Sequence, residues 1–294
     1  MKLLLIFGIY LCSILNSLAQ NNNEKLTATI IGSGSPVYST QRSGPSVLIN
    51  YKNTYILVDM GNGTQANLAK LNIKARKLNG LLFTHHHLDH NEEFTPIFIN
   101  SLLGNKQLTI AGPEPTSKYT SSILDLYNED ISYRLKRRKK TTEDISKKYK
   151  TTDLKGNEHF TIGEISISCA KVNHTIYTVA YRFEAGGQSI VISGDLTYSE
   201  SLPILAKNAD YLIIDSGVPS KNSTHKKPTK NKNNRERAHL NSDECGQMAQ
   251  TAQVKNLVLT HFTKDVVDEK TITEVLKKNY SGTIIFGYDL LELK

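Results

Sequence analysis

The feature that most constrains this 294-residue chain is one short run, Thr84-His85-His86-His87-Leu88-Asp89-His90. An apolar segment, Leu81-Leu82-Phe83, precedes it, and a helix is expected to begin near Asn91. In an extended segment alternate side chains point the same way, so His85 and His87 can converge on one ion. Where the chain turns towards the helix, Asp89 and His90 can reach a neighbouring ion. Imidazole and carboxylate donors suit Zn²⁺, with Mn or Fe as alternatives where carboxylates weigh more. A lone histidine is more often a satisfied core residue, but this cluster is dense enough to be read as a metal site. His86 lies between the donors and is expected to point away from them.

Strand-like segments, short and rich in Ile, Val, Leu and Tyr, recur at 26–31, 46–51, 54–59, 80–84, 107–112, 165–172, 178–184, 189–193, 211–215, 256–260 and 283–287. Helix-period segments lie beside them at 64–71, 92–103, 116–140, 199–208, 242–253 and 271–279. Ser242 with Glu244, and Thr271 with Glu274 at capping-box spacing, read as helix starts. Meandering strands followed by mixed strands and helices predict stacked sheets covered by helices.

The pattern His-X-His-X-Asp-His resembles the signature of the metallo-β-lactamase superfamily. The resemblance implies an α/β (α+β) fold, a four-layer αβ/βα sandwich with a dinuclear site at one edge. It also implies three further ligands at strand ends, and the chain offers His174 after Val172, Asp195 after Gly194 and His261 after Thr260. By that likeness His85, His87 and His174 take one metal, Asp89, His90 and His261 the other, and Asp195 lies between. Two Zn²⁺ per chain are thus expected.

Within the superfamily the chain is most similar to the branch of ribonuclease Z, secreted arylsulfatases and class II cyclic-nucleotide phosphodiesterases. The residues that carry this are Ile31-Gly32-Ser33-Gly34-Ser35-Pro36, Arg42-Ser43-Gly44-Pro45-Ser46 and Val58-Asp59-Met60-Gly61-Asn62-Gly63-Thr64-Gln65. His239, before Ser242, matches the branch's catalytic histidine with a spacing one residue longer. Two departures stand out. The tRNA-gripping arm often found between the positions of His174 and Asp195 has only twenty residues to occupy, and the branch's His-Glu pair reads Ile214-Asp215. The glyoxalase II motif is also similar to the histidine run, while true class B1 β-lactamases place a cysteine where Asp195 stands.

Mechanistically, such a pair of cations lowers the pKa of a water molecule towards roughly 7. Asp89 is expected to bind metal and orient the nucleophile, His239 to protonate the leaving group, and Asp215 to fix the His239 tautomer. The expected substrates are small anionic phosphodiester or sulfate esters. A nuclease on RNA or DNA, a thioester or lactone hydrolase, and a non-catalytic metal-binding protein are the alternatives.

Lys2, the apolar stretch 3–15 and Ser17-Leu18-Ala19 form a signal-peptide pattern, with cleavage expected after Ala19. The expected division is a signal peptide at 1–19, a linker at 20–25 and a hydrolase domain at 26–294. The mature protein is then periplasmic or secreted, without a membrane span, and a homodimer by analogy with relatives. Its net charge of +8 is concentrated at 134–140 and 221–237, which favour polyanions or form a solvated helix end and a mobile loop. Cys169 alternates with apolar residues and reads as a buried thiol. With Cys12 lost in the signal, two cysteines are too few for a disulfide framework.

Overall fold

The computed structural model describes residues 24–104, 107–216 and 238–294. The expected signal peptide, most of the linker and the basic segment 221–237 lie outside the described residues.

Two seven-stranded sheets face each other. The first contains β1 (Thr27–Gly32), β2 (Ser46–Tyr51), β3 (Thr54–Val58), β4 (Gly80–Leu82), β5 (Leu108–Pro113), β6 (Tyr149–Leu154) and β14 (Leu291–Leu293), in the order β14-β1-β2-β3-β4-β5-β6. The second contains β7 (His159–Ile162), β8 (Ile165–Val172), β9 (Thr178–Ala185), β10 (Gln188–Ile192), β11 (Tyr211–Asp215), β12 (Asn256–Thr260) and β13 (Thr283–Phe286), in the order β13-β12-β11-β10-β9-β8-β7. Strands β3 to β6 run parallel, as do β10 to β13. Their carboxyl ends therefore gather at one edge.

The alternation Ile165-Ser166-Ile167-Ser168-Cys169 puts three buried side chains into the layer between the sheets, where Ile56, Val58, Tyr181 and Ile190 meet them. Each fully buried aliphatic side chain there contributes about 1.5–3 kcal/mol. Outside the first sheet pack α1 (Thr64–Lys70), α2 (Phe94–Leu102), α3 (Thr116–Leu126), α4 (Asn128–Arg137) and α5 (Thr142–Ser146). Outside the second pack α6 (Ser201–Leu205), α7 (Ser242–Ala252) and α8 (Glu269–Leu276). This is the αβ/βα sandwich. No helix of the described residues is long and apolar enough to cross a membrane.

Several local expectations are corrected. The helix expected at 116–140 is two helices that meet at Tyr127, with Ile123 turned into the core from one and Ile131 and Leu135 from the other. The 199–208 helix shrinks to five residues. Asn241, not Ser242, caps α7 through a reciprocal box with Glu244, and the Asp268 side chain, not Thr271, caps α8 by accepting the Thr271 N–H. Strands β6, β7 and β14 and helix α5 were not anticipated. Strand β3 stops at Val58 because Asp59 turns left-handed, with φ 57°. Strand β4 stops at Leu82. Two residues on, the Thr84 N–H bonds the Asp59 carboxylate instead of a neighbouring strand.

The twenty residues between His174 and Asp195 form a hairpin of β9 and β10. Gly186 and Gly187 close it with φ of 58° and 74°, the positive pair that a tight two-residue hairpin turn requires. No arm is inserted there.

Candidate metal centre

Loops at the carboxyl ends of β4, β8, β10 and β12 deliver the donors. After β4 the chain is extended at His87 and then makes a 3₁₀ turn, Leu88–His90, while the helix expected near Asn91 begins at Phe94. Donor atoms of His85, His87, His174 and Asp195 all lie within 4.8 Å of one another. His87 Nδ1 is 3.0 Å from His85 Nε2 and 3.2 Å from His174 Nε2. Asp89, His90 and His261 form a second set: Asp89 Oδ2 is 3.6 Å from His90 Nε2 and 3.5 Å from His261 Nε2. Asp195 lies between the two. Its Oδ1 is 3.3 Å from both His90 Nε2 and His261 Nε2, and its Oδ2 is 3.9 Å from both His85 Nε2 and His174 Nε2. All seven expected donors are thus brought together, and donor atoms of Asp195, Asp215, His239 and His261 also lie within 4.8 Å of one another.

The other ring nitrogen of each imidazole is tied down behind the cluster. His90 Nδ1 donates to Asp59 Oδ2 at 2.9 Å. His85 Nδ1 meets Thr84 Oγ1 at 3.0 Å, and that hydroxyl donates to Asp59 Oδ2. His174 Nδ1 donates to the Ala238 carbonyl, His87 Nε2 faces Thr175 Oγ1, and His261 Nδ1 lies 3.5 Å from Asp215 Oδ1. Such anchoring fixes each tautomer and turns a lone pair inward, as metal-ligating histidines require. Asp89 Oδ2, His90 Nε2 and His261 Nε2 are buried without a hydrogen-bond partner. Buried polar atoms are costly to leave unsatisfied. Three that converge from separate segments fit a cation.

The electrostatics agree. Burial works against charging His90 and His261, yet Asp195 with Asp59, and Asp195 with Asp215, outweigh it. His90 is raised well above the usual histidine value and His261 to about 9. A field that draws protons onto buried imidazoles also draws a divalent cation. His85, dominated by burial, is lowered and keeps its imidazole neutral and able to ligate.

Backbone strain marks the approach of the two sheets. His261 is left-handed at φ 62°, an uncommon conformation away from glycine. Gly194, at φ 63°, lies so close to Thr84 that a Cβ would come within 2.7 Å of the Thr84 Cβ. Only glycine lets Asp195 sit this near the histidine run.

At the mouth, His239 Nδ1 donates to Asp215 Oδ2 at 2.6 Å and lies 3.7 Å from Asp195 Oδ2. Its side chain keeps 27% exposure, against 2% for Asp215. Burial lowers the His239 proton affinity, but the Asp215 carboxylate raises it by more. His86 points away, bonding the Pro113 carbonyl and Thr116 Oγ1.

Asp59 was not singled out from the sequence, although it organises two donors. Its place in the Asp-Met-Gly-Asn-Gly-Thr stretch was the available signal. The Arg42–Ser46 stretch braces the neighbouring turn: Arg42 bonds Ser33 Oγ and the Gly287 carbonyl and stacks 4.7 Å above Phe262, the residue after His261.

A family model described as "Beta-lactamase superfamily domain" matches residues 54–262. The chain belongs to the beta-lactamase superfamily and is a metal-dependent hydrolase acting on ester bonds. It is 28% identical over 274 residues to ribonuclease Z of Mycobacterium bovis, spanning 90% of this chain and 96% of the relative. Ribonuclease Z of Mycobacterium marinum is 27% identical over 282 residues, with 89% and 96% covered. Among solved structures, the metallo-beta-lactamase fold protein YhfI from Bacillus subtilis superposes with a TM-score of 0.72 at 21% identity, covering 92% of this chain and 99% of that one. Human tRNase Z, short form, gives 0.68 at 18% identity, with 91% and 98% covered.

Proposed function

We propose that this chain is an exported phosphodiesterase that cleaves oligonucleotides with two Zn²⁺ ions. His85, His87 and His174 would hold one ion and Asp89, His90 and His261 the other, with Asp195 placed between the two sets. Bound there, the cations supply Lewis acidity, which acidifies water and offsets negative charge on substrate oxygens.

The single observation that carries the substrate class is the His239–Asp215 pair beside Asp195. Asp215 occupies Nδ1 and stabilises the imidazolium, leaving Nε2 as the nitrogen that can release a proton. A proton donor matters most when the departing group is a poor one. The alkoxide of a phosphodiester needs that proton, whereas a thiolate or an activated phenolate leaves without it. Asp89 would both ligate a cation and orient the attacking water. The curated relatives named ribonuclease Z support RNA as the class of polymer.

The test is a comparison of bis(p-nitrophenyl) phosphate, p-nitrophenyl sulfate, a thioester and a short RNA on protein of measured zinc content. Preference for the phosphodiesters is expected; preference for the sulfate or thioester would refute the reading. Export rests on residues 1–19. Mass spectrometry of protein recovered outside the cytoplasm should find Gln20 at the amino terminus, and an intact leader on cytoplasmic protein would oppose it.

A further inference from the structure

The basic run 134–140 plays no part in the centre described above, yet the fold joins it to cations from two other segments. Ser101 Oγ bonds the Ala75 carbonyl, and Gly104 packs against Arg76, where a Cβ would come within 2.9 Å of the Arg76 Cβ. Arg138 Nη1 donates to the Leu103 carbonyl at 2.7 Å, and Lys148 Nζ to the Gly104 carbonyl at 3.1 Å. An open groove of about 400 Å³ runs here, lined among others by Lys74, Arg76 and Arg138. Residues 69–79, 94–104, 136–142 and 147–152 contain no Asp or Glu. Two acidic groups act on the cluster: Asp130, which pairs with Arg134 at 2.7 Å, and Asp144, which faces Lys148 and Lys140. Lys148 itself sits against Lys140, a crowding of like charges that lowers its proton affinity.

A basic last turn complements the dipole of α4, and with the Asp130–Arg134 ion pair at 2.7 Å this accounts for Arg134 and Lys136. It does not account for Arg76 and Lys148, which arrive on different segments and form no ion pair among the described residues. Beside Arg138, on the side away from Arg76, Tyr133 is exposed among Asp130, Arg134 and Arg137, with the Arg137 guanidinium 6.0 Å from its ring centre. Separated cations next to an exposed aromatic suit a flexible strand that offers both phosphates and stackable bases.

The cluster precedes β4, β5 and β6, whereas the metal donors follow β4. A six-residue strand such as β5 spans roughly 20 Å, so the groove and the centre occupy opposite edges of the first sheet. We propose that this edge docks single-stranded nucleic acid at a distance from the bond being cleaved. The proposal rests on the phosphodiesterase reading for its biological sense, but its binding test is separate from turnover.

Fluorescence anisotropy of the metal-loaded protein with a labelled, phosphorothioate-protected oligouridine 20-mer measures docking without cleavage. Arg76→Glu/Arg138→Glu/Lys148→Glu should raise Kd at least 10-fold. It should also flatten the salt dependence by about 2 in log–log slope, at about 0.7 per phosphate contact. Its hydrolysis of bis(p-nitrophenyl) phosphate should stay within twofold of wild type. Because Arg138 and Lys148 also hold carbonyls, the solvent-facing Lys74→Ala/Lys139→Ala pair serves as a second variant, with an expected Kd rise of about 3-fold. Unchanged Kd in both variants would overturn the proposal, as would wild-type protein that binds heparin but not the 20-mer. Docking without any phosphodiester hydrolysis would sink the catalytic reading and leave this surface standing.

Discussion

Asp59 Oδ2 accepts a hydrogen bond from His90 Nδ1 at 2.9 Å, and the same carboxylate holds both the Thr84 N–H and the Thr84 hydroxyl that faces His85. One carboxylate behind the centre therefore orients a donor in each set. Replacing Asp59 with Asn keeps the size and removes the charge. Metal affinity is expected to fall about 10- to 100-fold, measured by competition with a chromogenic chelator. Unaltered affinity would show that His90 and His85 are oriented by packing alone.

His239→Ala removes the proton donor and leaves every metal donor in place. Turnover of a phosphodiester with an alkoxide leaving group should fall about 10²- to 10⁴-fold, with zinc content unchanged. A substrate with a p-nitrophenolate leaving group should suffer much less. Equal losses on both substrates, or a parallel loss of zinc, would count against the acid role.

Gly194→Ala tests the close approach of the sheets. The new methyl must occupy a left-handed conformation and displace Thr84. A loss of about 2 kcal/mol is expected from the two effects together, which corresponds to about 5 °C in Tm for a domain of this size. A Tm within one degree of wild type, by calorimetry, would contradict the constraint.

Glu158 supplies a pH dependence remote from the centre. Burial raises its carboxyl, but backbone N–H groups of residues 155–157 and the Cys169 thiol outweigh that and bring it down to about 2. A carboxylate depressed in the folded state stabilises the fold fully above its unfolded value of about 4.3. That contribution is lost as pH falls from there towards 2. Glu158→Gln should therefore lower the urea midpoint at pH 7 and match wild type near pH 2. The Cys169 thiol, pushed up to about 12 by burial and then by Glu158, should resist alkylation at pH 8 in the folded protein.

The histidine run could be read from sequence because its donors are local. Alternation in an extended segment puts His85 and His87 on one side without tertiary information. Asp59 could not be read so, since it donates nothing to the cluster and acts through Thr84 and His90. Strand β6 escaped notice because Tyr149-Lys150-Thr151-Thr152 is polar on both faces and borders helices instead of the inter-sheet core alone. The break at Tyr127 carries no glycine or proline. Packing accompanies it, with Ile123 buried from one helix and Ile131 and Leu135 from the next. Helix α8 begins earlier than the Thr271 signal suggested, because Asp268 accepts the Thr271 amide and so claims the cap.

The donors arrive from both halves of the sandwich. His85, His87, Asp89 and His90 belong to the first sheet's edge, His174, Asp195 and His261 to the second's, and each set draws on both. Cations held there would act as rivets through the two halves and keep the sheets from parting. Stripped of them, the chain loses a cross-brace at the edge where Asp195 and its imidazoles crowd together. Its thermal unfolding should then broaden into steps that begin at the catalytic rim.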